Sequence, residues 1–262
     1  MKQMALKWLA AQALLLVVFC FPALAERLIT SISSSRVLIS SSYTGAELVL
    51  FGTIERDGVS VSRSGPYDIV VTVKGPVAPF VVREKQRLGF IWMNAAQQKY
   101  SGLPGYLAFN SSRALADVTS EQLRERFLIG LSETVLSRGG GGSALQSSES
   151  QKAFNDALIR VKTASKLFQL NERGVVFLAP NLFRATISLP AIAPLGNYEA
   201  TVTLFSDGAP LATEKSDFEV LKTGFEARVA IAAFNMSALY GLATVLLALG
   251  FGWMAHYAFR RD

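Results

Sequence analysis

From Val229 to Phe259 the chain carries no charged side chain other than His256. As a helix this run would measure roughly 45 Å, more than the roughly 30 Å of a bilayer hydrocarbon core. An apolar segment of that length closes its backbone hydrogen bonds within itself and lies in lipid, so everything else in the chain is built onto a membrane anchor. The surplus length places the span near Met236 to Phe259, with Val229 to Asn235 as an interfacial turn ahead of it. Trp253, His256 and Tyr257 suit the interface at its far end, and Arg260-Arg261 beyond them fits the positive-inside bias, giving a cytoplasmic C-terminus.

A second apolar stretch differs in kind. Lys2 and Lys7 precede an uncharged run from Trp8 to Leu24 that ends in Ala23-Leu24-Ala25, the pattern of a cleaved secretory signal. Cleavage before Glu26 is expected, which puts residues 26–224 in the periplasm of a bacterial inner-membrane protein with residues 260–262 as its cytoplasmic tail. An uncleaved first segment would give two spans instead. Cys20 does not read as a lipoprotein site, because bulky Phe19 stands before it.

The single cysteine and the single histidine, Cys20 and His256, both fall in these end segments. Residues 26–224 therefore lack the means for a Cys or His zinc site, a thiolate nucleophile, a Ser-His-Asp triad or a disulfide. Carboxylate chemistry or oxygen ligation of a hard cation remains open, but Glu47, Glu55, Asp57, Asp68, Glu84, Asp117, Glu199 and Asp207 are scattered without a calcium-loop spacing. The expectation is no cofactor, no metal and no catalytic residue; a carboxylate-dependent hydrolase is the remaining enzymatic reading. The formal charge of +6 falls to about +4 without Lys2 and Lys7, too weak a bias for nucleic acid.

Residues 26–110 read as short strands: Arg36–Ser40, Glu47–Phe51, Tyr67–Val73, Phe80–Arg83 and Leu88–Trp92, with turns at Gly45, Gly58, Gly75-Pro76 and Gly102. In the third, Ile69, Val71 and Val73 alternate with Asp68, Thr72 and Lys74, as in a half-buried strand. Residues 111–172 read as a helical insertion. Thr119-Ser-Glu-Gln122 forms a capping box before Leu123, Phe127 and Leu131, and Ser148-Glu-Ser-Gln151 another before a stripe of Phe154, Leu158, Val161 and Phe168. Between them, residues 138–148 hold a run of glycines without the Gly-Lys-Ser/Thr ending of a phosphate loop, and read as a flexible linker.

Strands resume over residues 173–224. Phe183, Ala185, Ile187 and Leu189 alternate with polar residues, and Tyr198–Ser206 with Leu211–Lys222 predicts a hairpin about Asp207-Gly208. Tyr198, just after a glycine turn at the start of a strand, is placed like the tyrosine corner of immunoglobulin-like sandwiches. The expected fold is mainly β with a helical insertion: an immunoglobulin-like β-sandwich ectodomain plus one C-terminal transmembrane helix.

Thr44–Gly52, Asp68–Pro76, Val82–Asn94, Leu182–Pro190 and the end from Tyr240 to Arg261 together make the chain similar to a family of alphaproteobacterial conserved transmembrane proteins of unknown function. The resemblance covers nearly all of the mature chain and brings no catalytic residues. It implies a partner, since members of that family are often encoded beside a permease similar to sulfite exporters.

Two functions are consistent with these features. One is a non-enzymatic accessory subunit whose span docks on a membrane protein through Gly241, Ala248 and Gly252, with Ala238 adding to the slim side. The other is a small-anion module using Arg83, Lys85 and Arg87, which would share one face of a strand leading to Trp92. A charged edge that discourages strand pairing is the alternative account of that basic row.

Overall fold

The computed structural model describes residues 26–40, 43–55, 66–138, 148–224, 229 and 232–259. The expected signal, Cys20, the Gly58 turn, the glycine linker beyond Arg138 and the Arg260-Arg261 tail lie outside the described residues.

Twelve strands and five helices are described. Strands β1 (Arg27–Ile32), β3 (Gly45–Glu55), β10 (Leu182–Pro190) and β9 (Val175–Ala179) form one sheet in the order β1-β3-β10-β9. The second runs β2-β12-β11-β4-β7-β8, from β2 (Arg36–Ile39), β12 (Ala209–Lys222), β11 (Gly196–Ser206), β4 (Tyr67–Lys74), β7 (Leu107–Ser111) and β8 (Phe168–Asn171). Leu48, Leu50, Phe183, Ala185, Ile187 and Leu189 of the first sheet meet Ile69, Val71, Val73, Ala200, Val202 and Leu204 of the second in one core. The alternation expected of β10 is present, with Phe183 to Leu189 inward. The β11–β12 turn is also as expected: Asp207 (φ 51°) and Gly208 (φ 81°) both take the left-handed region that a two-residue Asp-Gly hairpin turn requires.

The reading of β4 as half-buried is corrected. Six consecutive residues, Asp68 to Val73, are buried, because a second core covers the opposite face. There Val70, Leu107, Phe109, Phe168 and Phe205 pack against Leu115 and Val118 of α1 (Leu115–Val118), Val135 of α3 (Leu131–Arg138) and Leu158 of α4 (Ser148–Ala164). The buried carboxylate of that face is paired locally. Asp68 accepts from Ser112 Oγ (2.9 Å) and from Arg113 Nε (2.8 Å), with Arg113 Nη2 on its other oxygen.

The helices also depart from their predicted stripes. The Leu123–Phe127–Leu131 stripe is broken: α2 spans Glu121–Phe127, Leu128 ends it in the left-handed conformation, and Gly130 (φ 134°) separates it from α3. Ser120, not Thr119, precedes the first turn, while Thr119 Oγ1 donates to the Gly208 carbonyl (2.8 Å). In α4, Phe154 and Leu158 face inward, but Val161 is exposed and Phe168 belongs to β8. Lys166, left-handed at φ 57°, ends the helical path before that strand.

Gly75-Pro76 is a bend rather than a turn. Gly75 N–H donates to the Tyr106 carbonyl (2.9 Å) and Gly105 N–H to that of Pro76 (2.7 Å), so the β4–β7 ladder continues into β5 (Val77–Leu88) and β6 (Ile91–Pro104). The strand expected at Phe80–Arg83 is thus part of one arm of a long hairpin, and Leu88–Trp92, expected as a strand, instead holds its turn at Gly89-Phe90. Gly102 sits inside β6 instead of at a turn, at φ 78°.

Tyr198, at the start of β11, stacks on Phe218 (5.0 Å) and donates its hydroxyl to the Pro194 carbonyl (2.7 Å). After β12 the chain passes to α5 (Ser237–Phe259), and residues 232–235 ahead of it are helical.

Candidate functional site

The β5–β6 hairpin carries the exposed residues that the sequence singles out. Its inner part is held by the second core. Phe80 and Val82 pack there beside buried Tyr100 and Leu103, and Tyr100 donates its hydroxyl to Asn155 Oδ1 of α4 (2.7 Å). Burial pushes the Tyr100 phenol up to about 12. Lys162 of α4 lies over the Phe80 ring at 3.7 Å, and burial lowers its pKa.

Beyond Arg83 and Gln97 that cover is lost. The antiparallel register pairs Arg83 with Gln97, Lys85 with Asn94 and Arg87 with Trp92, while Leu88 pairs with Ile91 and Gln86 with Met93. Directly opposed residues share a face, so Arg83, Lys85 and Arg87 form the predicted row, with Trp92 at its outer end. Ala95 has no partner across the strand, a bulge that leaves the row itself unbroken. Arg87 Nε donates to the Gly89 carbonyl (3.0 Å). None of the three takes part in an ion pair among the described residues. Gly89 (φ 64°) followed by Phe90 closes the tip, with glycine where a II′ turn needs it. Phe90 is 98% exposed, Trp92 and Leu88 67% each and Ile91 63%.

At the root of the hairpin the Pro76–Gly105 bend packs on the β10–β11 connection: a Cβ on Gly105 would come within 2.8 Å of Pro194 Cγ, and one on Gly196 within 3.3 Å of Pro76 Cβ. That connection exposes Ile192 and Leu195. Because β4 and β12 are each antiparallel to β11, they run the same way. The hairpin therefore leaves the six-stranded sheet at the end from which Lys222 leads to α5.

A groove of about 580 Å³ at this end is lined by Lys74, Tyr198, Glu199, Asp217 and Glu219 among others. Lys215 Nζ donates to Glu199 (2.9 Å) and holds its carboxyl below the usual range; burial lowers the Lys74 pKa against the opposing pull of Glu199. A second groove, of about 370 Å³ between α3 and α4, exposes Leu136 and reaches Asn155. Neither contains any of the six candidate residues.

Those other candidates lie on α5. It is strongly apolar, with a mean hydropathy of 1.7 over 18 of its residues, and buries no residue inside the chain. At 100° per residue, Gly241, Ala248 and Gly252 fall in a sector about 40° wide, so helical geometry brings them to one side. Ala238 lies about 60° from Gly241 and at the edge of that side. A Cβ on Gly241 or Gly252 would meet nothing within 4 Å. The hairpin's length and the shared end with the tether were not legible from the sequence; the only signal was the density of Leu88, Phe90, Ile91, Trp92 and Met93.

No curated protein matches the chain. The model of a family described as "Putative transmembrane protein (Alph_Pro_TM)" matches residues 27–261, which span both sheets, the helical insertion and the apolar helix. With a mostly β body and one C-terminal helix long and apolar enough to anchor it, the chain belongs to this alphaproteobacterial transmembrane family.

Proposed function

We propose that this protein is a non-enzymatic accessory subunit of the bacterial inner membrane, with a cleaved signal, a periplasmic body and a cytoplasmic C-terminus. The body is an immunoglobulin-like sandwich. In support, β1-β3-β10-β9 opposed to β12-β11-β4-β7 follows the strand order of variable-type domains, and the Tyr198–Pro194 hydrogen bond has the form of a tyrosine corner. Two features are its own: β8 runs parallel to β7 after the helical insertion, and a long hairpin separates β4 from β7.

The observation that carries the accessory reading is the free lateral surface of α5, which gives none of its residues to the body and keeps Gly241, Ala248 and Gly252 on one side. Small residues there let a neighbouring helix approach closely. The partner is an integral membrane protein, and the family resemblance suggests a sulfite-exporter-like permease. Three of the buried or partly buried carboxylates have cationic partners, Asp68 in Arg113, Glu199 in Lys215 and Glu133 in Arg124, and Glu26 accepts from the Tyr67 hydroxyl. Mild-detergent isolation from native membranes with mass spectrometry tests the reading. A stoichiometric permease should accompany the wild type and be lost on joint Ala248→Leu and Gly252→Leu substitution; unchanged recovery, or a protein that purifies alone, overturns it.

A small-anion function is favoured only by the shared face of Arg83, Lys85 and Arg87. The row lines neither of the two grooves. Titration calorimetry of the full-length protein with sulfite, sulfate and phosphate would remove it if the heats equal those of dilution.

A further inference from the structure

We propose that the β5–β6 hairpin is a second membrane contact: its apolar tip enters the lipid interface while Arg83, Lys85 and Arg87 pair with the phosphates of anionic lipid headgroups. The proposal rests on α5 as anchor and is independent of the protein partner proposed for α5.

Three observations converge. The first is composition by position. Leu88, Phe90, Ile91, Trp92 and Met93 are all exposed at the tip, and behind them the hairpin carries Arg83, Lys85, Arg87 and Lys99 against the single acid Glu84. An apolar end bearing tryptophan with a basic collar is complementary to the acyl–headgroup boundary of an anionic leaflet. Long basic side chains reach phosphates while their stems lie along apolar surface.

The second is the absence of internal support. Residues 83–95, the outer part of the ribbon, are all exposed, and a two-stranded ribbon is marginal in water by itself. The tip side chains therefore contribute little to folding while they face water.

The third is reach. The hairpin and the tether leave the same end of the six-stranded sheet, where Val77, Ile192 and Leu195 are also exposed. Residues 223–231 can hold that end no farther than about 30 Å from the first helical residues before the span. The strand Val77–Leu88 is itself about 40 Å long at ~3.3 Å per residue. A tip on that ribbon has the length to meet the same bilayer that holds α5.

The test uses the full-length protein with Trp8→Phe and Trp253→Phe, which leaves Trp92 as the one tryptophan. It is placed in nanodiscs of phosphatidylglycerol or phosphatidylcholine, with and without brominated acyl chains. Trp92 emission should be quenched by brominated phosphatidylglycerol. The quenching should weaken in phosphatidylcholine, in 1 M salt, where the Debye length falls from about 10 Å at 0.1 M to about 3 Å, and in the Arg83→Gln, Lys85→Gln, Arg87→Gln variant. Each basic residue is worth about five-fold in partitioning at an anionic surface, so the triple variant has about two orders of magnitude to lose. An unchanged thermal midpoint separates this loss from misfolding. Unquenched Trp92 overturns the proposal, and so does quenching that ignores lipid charge and the triple variant. Capture of one protein by a photo-crosslinker at position 90 in native membranes, with Trp92 unquenched by lipid, would assign the tip to a protein partner and equally overturn it.

Discussion

The inner and outer halves of the β4–β5/β6–β7 ribbon are similar in local sequence and opposite in fate. In the inner half, β4 and β7 are covered on both faces, and Val70, Val71, Val73, Leu107 and Phe109 are all buried. In the outer half, Leu88, Phe90, Ile91, Trp92 and Met93 are at least as apolar and stand in solvent. Strand propensity cannot explain the contrast, since both halves pair in antiparallel register. The cause is what lies above them: α1, α3 and α4 roof the inner half, and that cover stops near Val82 and Gln98. Apolarity without cover in a chain tied to a bilayer points outward, to a surface the fold does not itself supply.

The contrast would break most visibly at Phe109 in β7. Phe109→Ala should cost about 3–5 kcal/mol, as for other fully buried aromatics, measured by urea denaturation of the full-length protein in detergent. An effect below about 1 kcal/mol would mean that the second core is not the cover described.

Arg113→Met comes next, at about 2 kcal/mol by the same measurement, because Asp68 is only 4% exposed and would lose two of its hydrogen bonds. Arg113 itself is half exposed, which holds the effect below that of a fully buried pair.

Tyr100, at the boundary between the halves, sharpens the comparison through pH. Its folded pKa is raised to about 12, so between pH 10 and 12 the folded chain binds more protons than the unfolded chain. Stability contributed by this group is therefore full below pH 10 and is lost as pH rises toward 12. Tyr100→Phe should cost about 1 kcal/mol at neutral pH through the lost bond to Asn155, and flatten part of the alkaline decline seen by near-ultraviolet circular dichroism. An alkaline limb unchanged in the variant would remove Tyr100 from the account.

The smallest effect belongs to the tip. Joint Phe90→Ser and Trp92→Ser substitution should leave stability in detergent within about 0.5 kcal/mol of wild type, since neither side chain contributes to a core. A loss comparable to that of Phe109→Ala would show that the two halves of the ribbon are not distinct.

Some of this was legible in residue order alone. The alternation of β10, the Asp207-Gly208 turn, the position of Tyr198 and the limits of α5 each rest on contacts within a few residues or on a simple period. The errors share another origin. Thr119 looked like a cap but donates across 89 residues to Gly208. Phe168 looked like the end of a helical stripe until the left-handed Lys166 turned the chain into β8. Leu123 and Phe127 had helical spacing, but the left-handed Leu128 ended the helix and the inward positions passed to Ile129 and Val135.

By itself, the sequence determined that this chain carries an apolar anchor, that its body is mostly β, and that Arg83, Lys85 and Arg87 share a strand face. Those properties follow from hydrophobic length, periodicity and turn chemistry, which are local. Only the tertiary structure decided that β4 is buried on both faces, that the residues read as two short strands are an arm and the turn of one bent ribbon, and that its root shares an end with the membrane tether. Sheet order and cover depend on which distant segments meet, and a strand's own residues do not encode its partners.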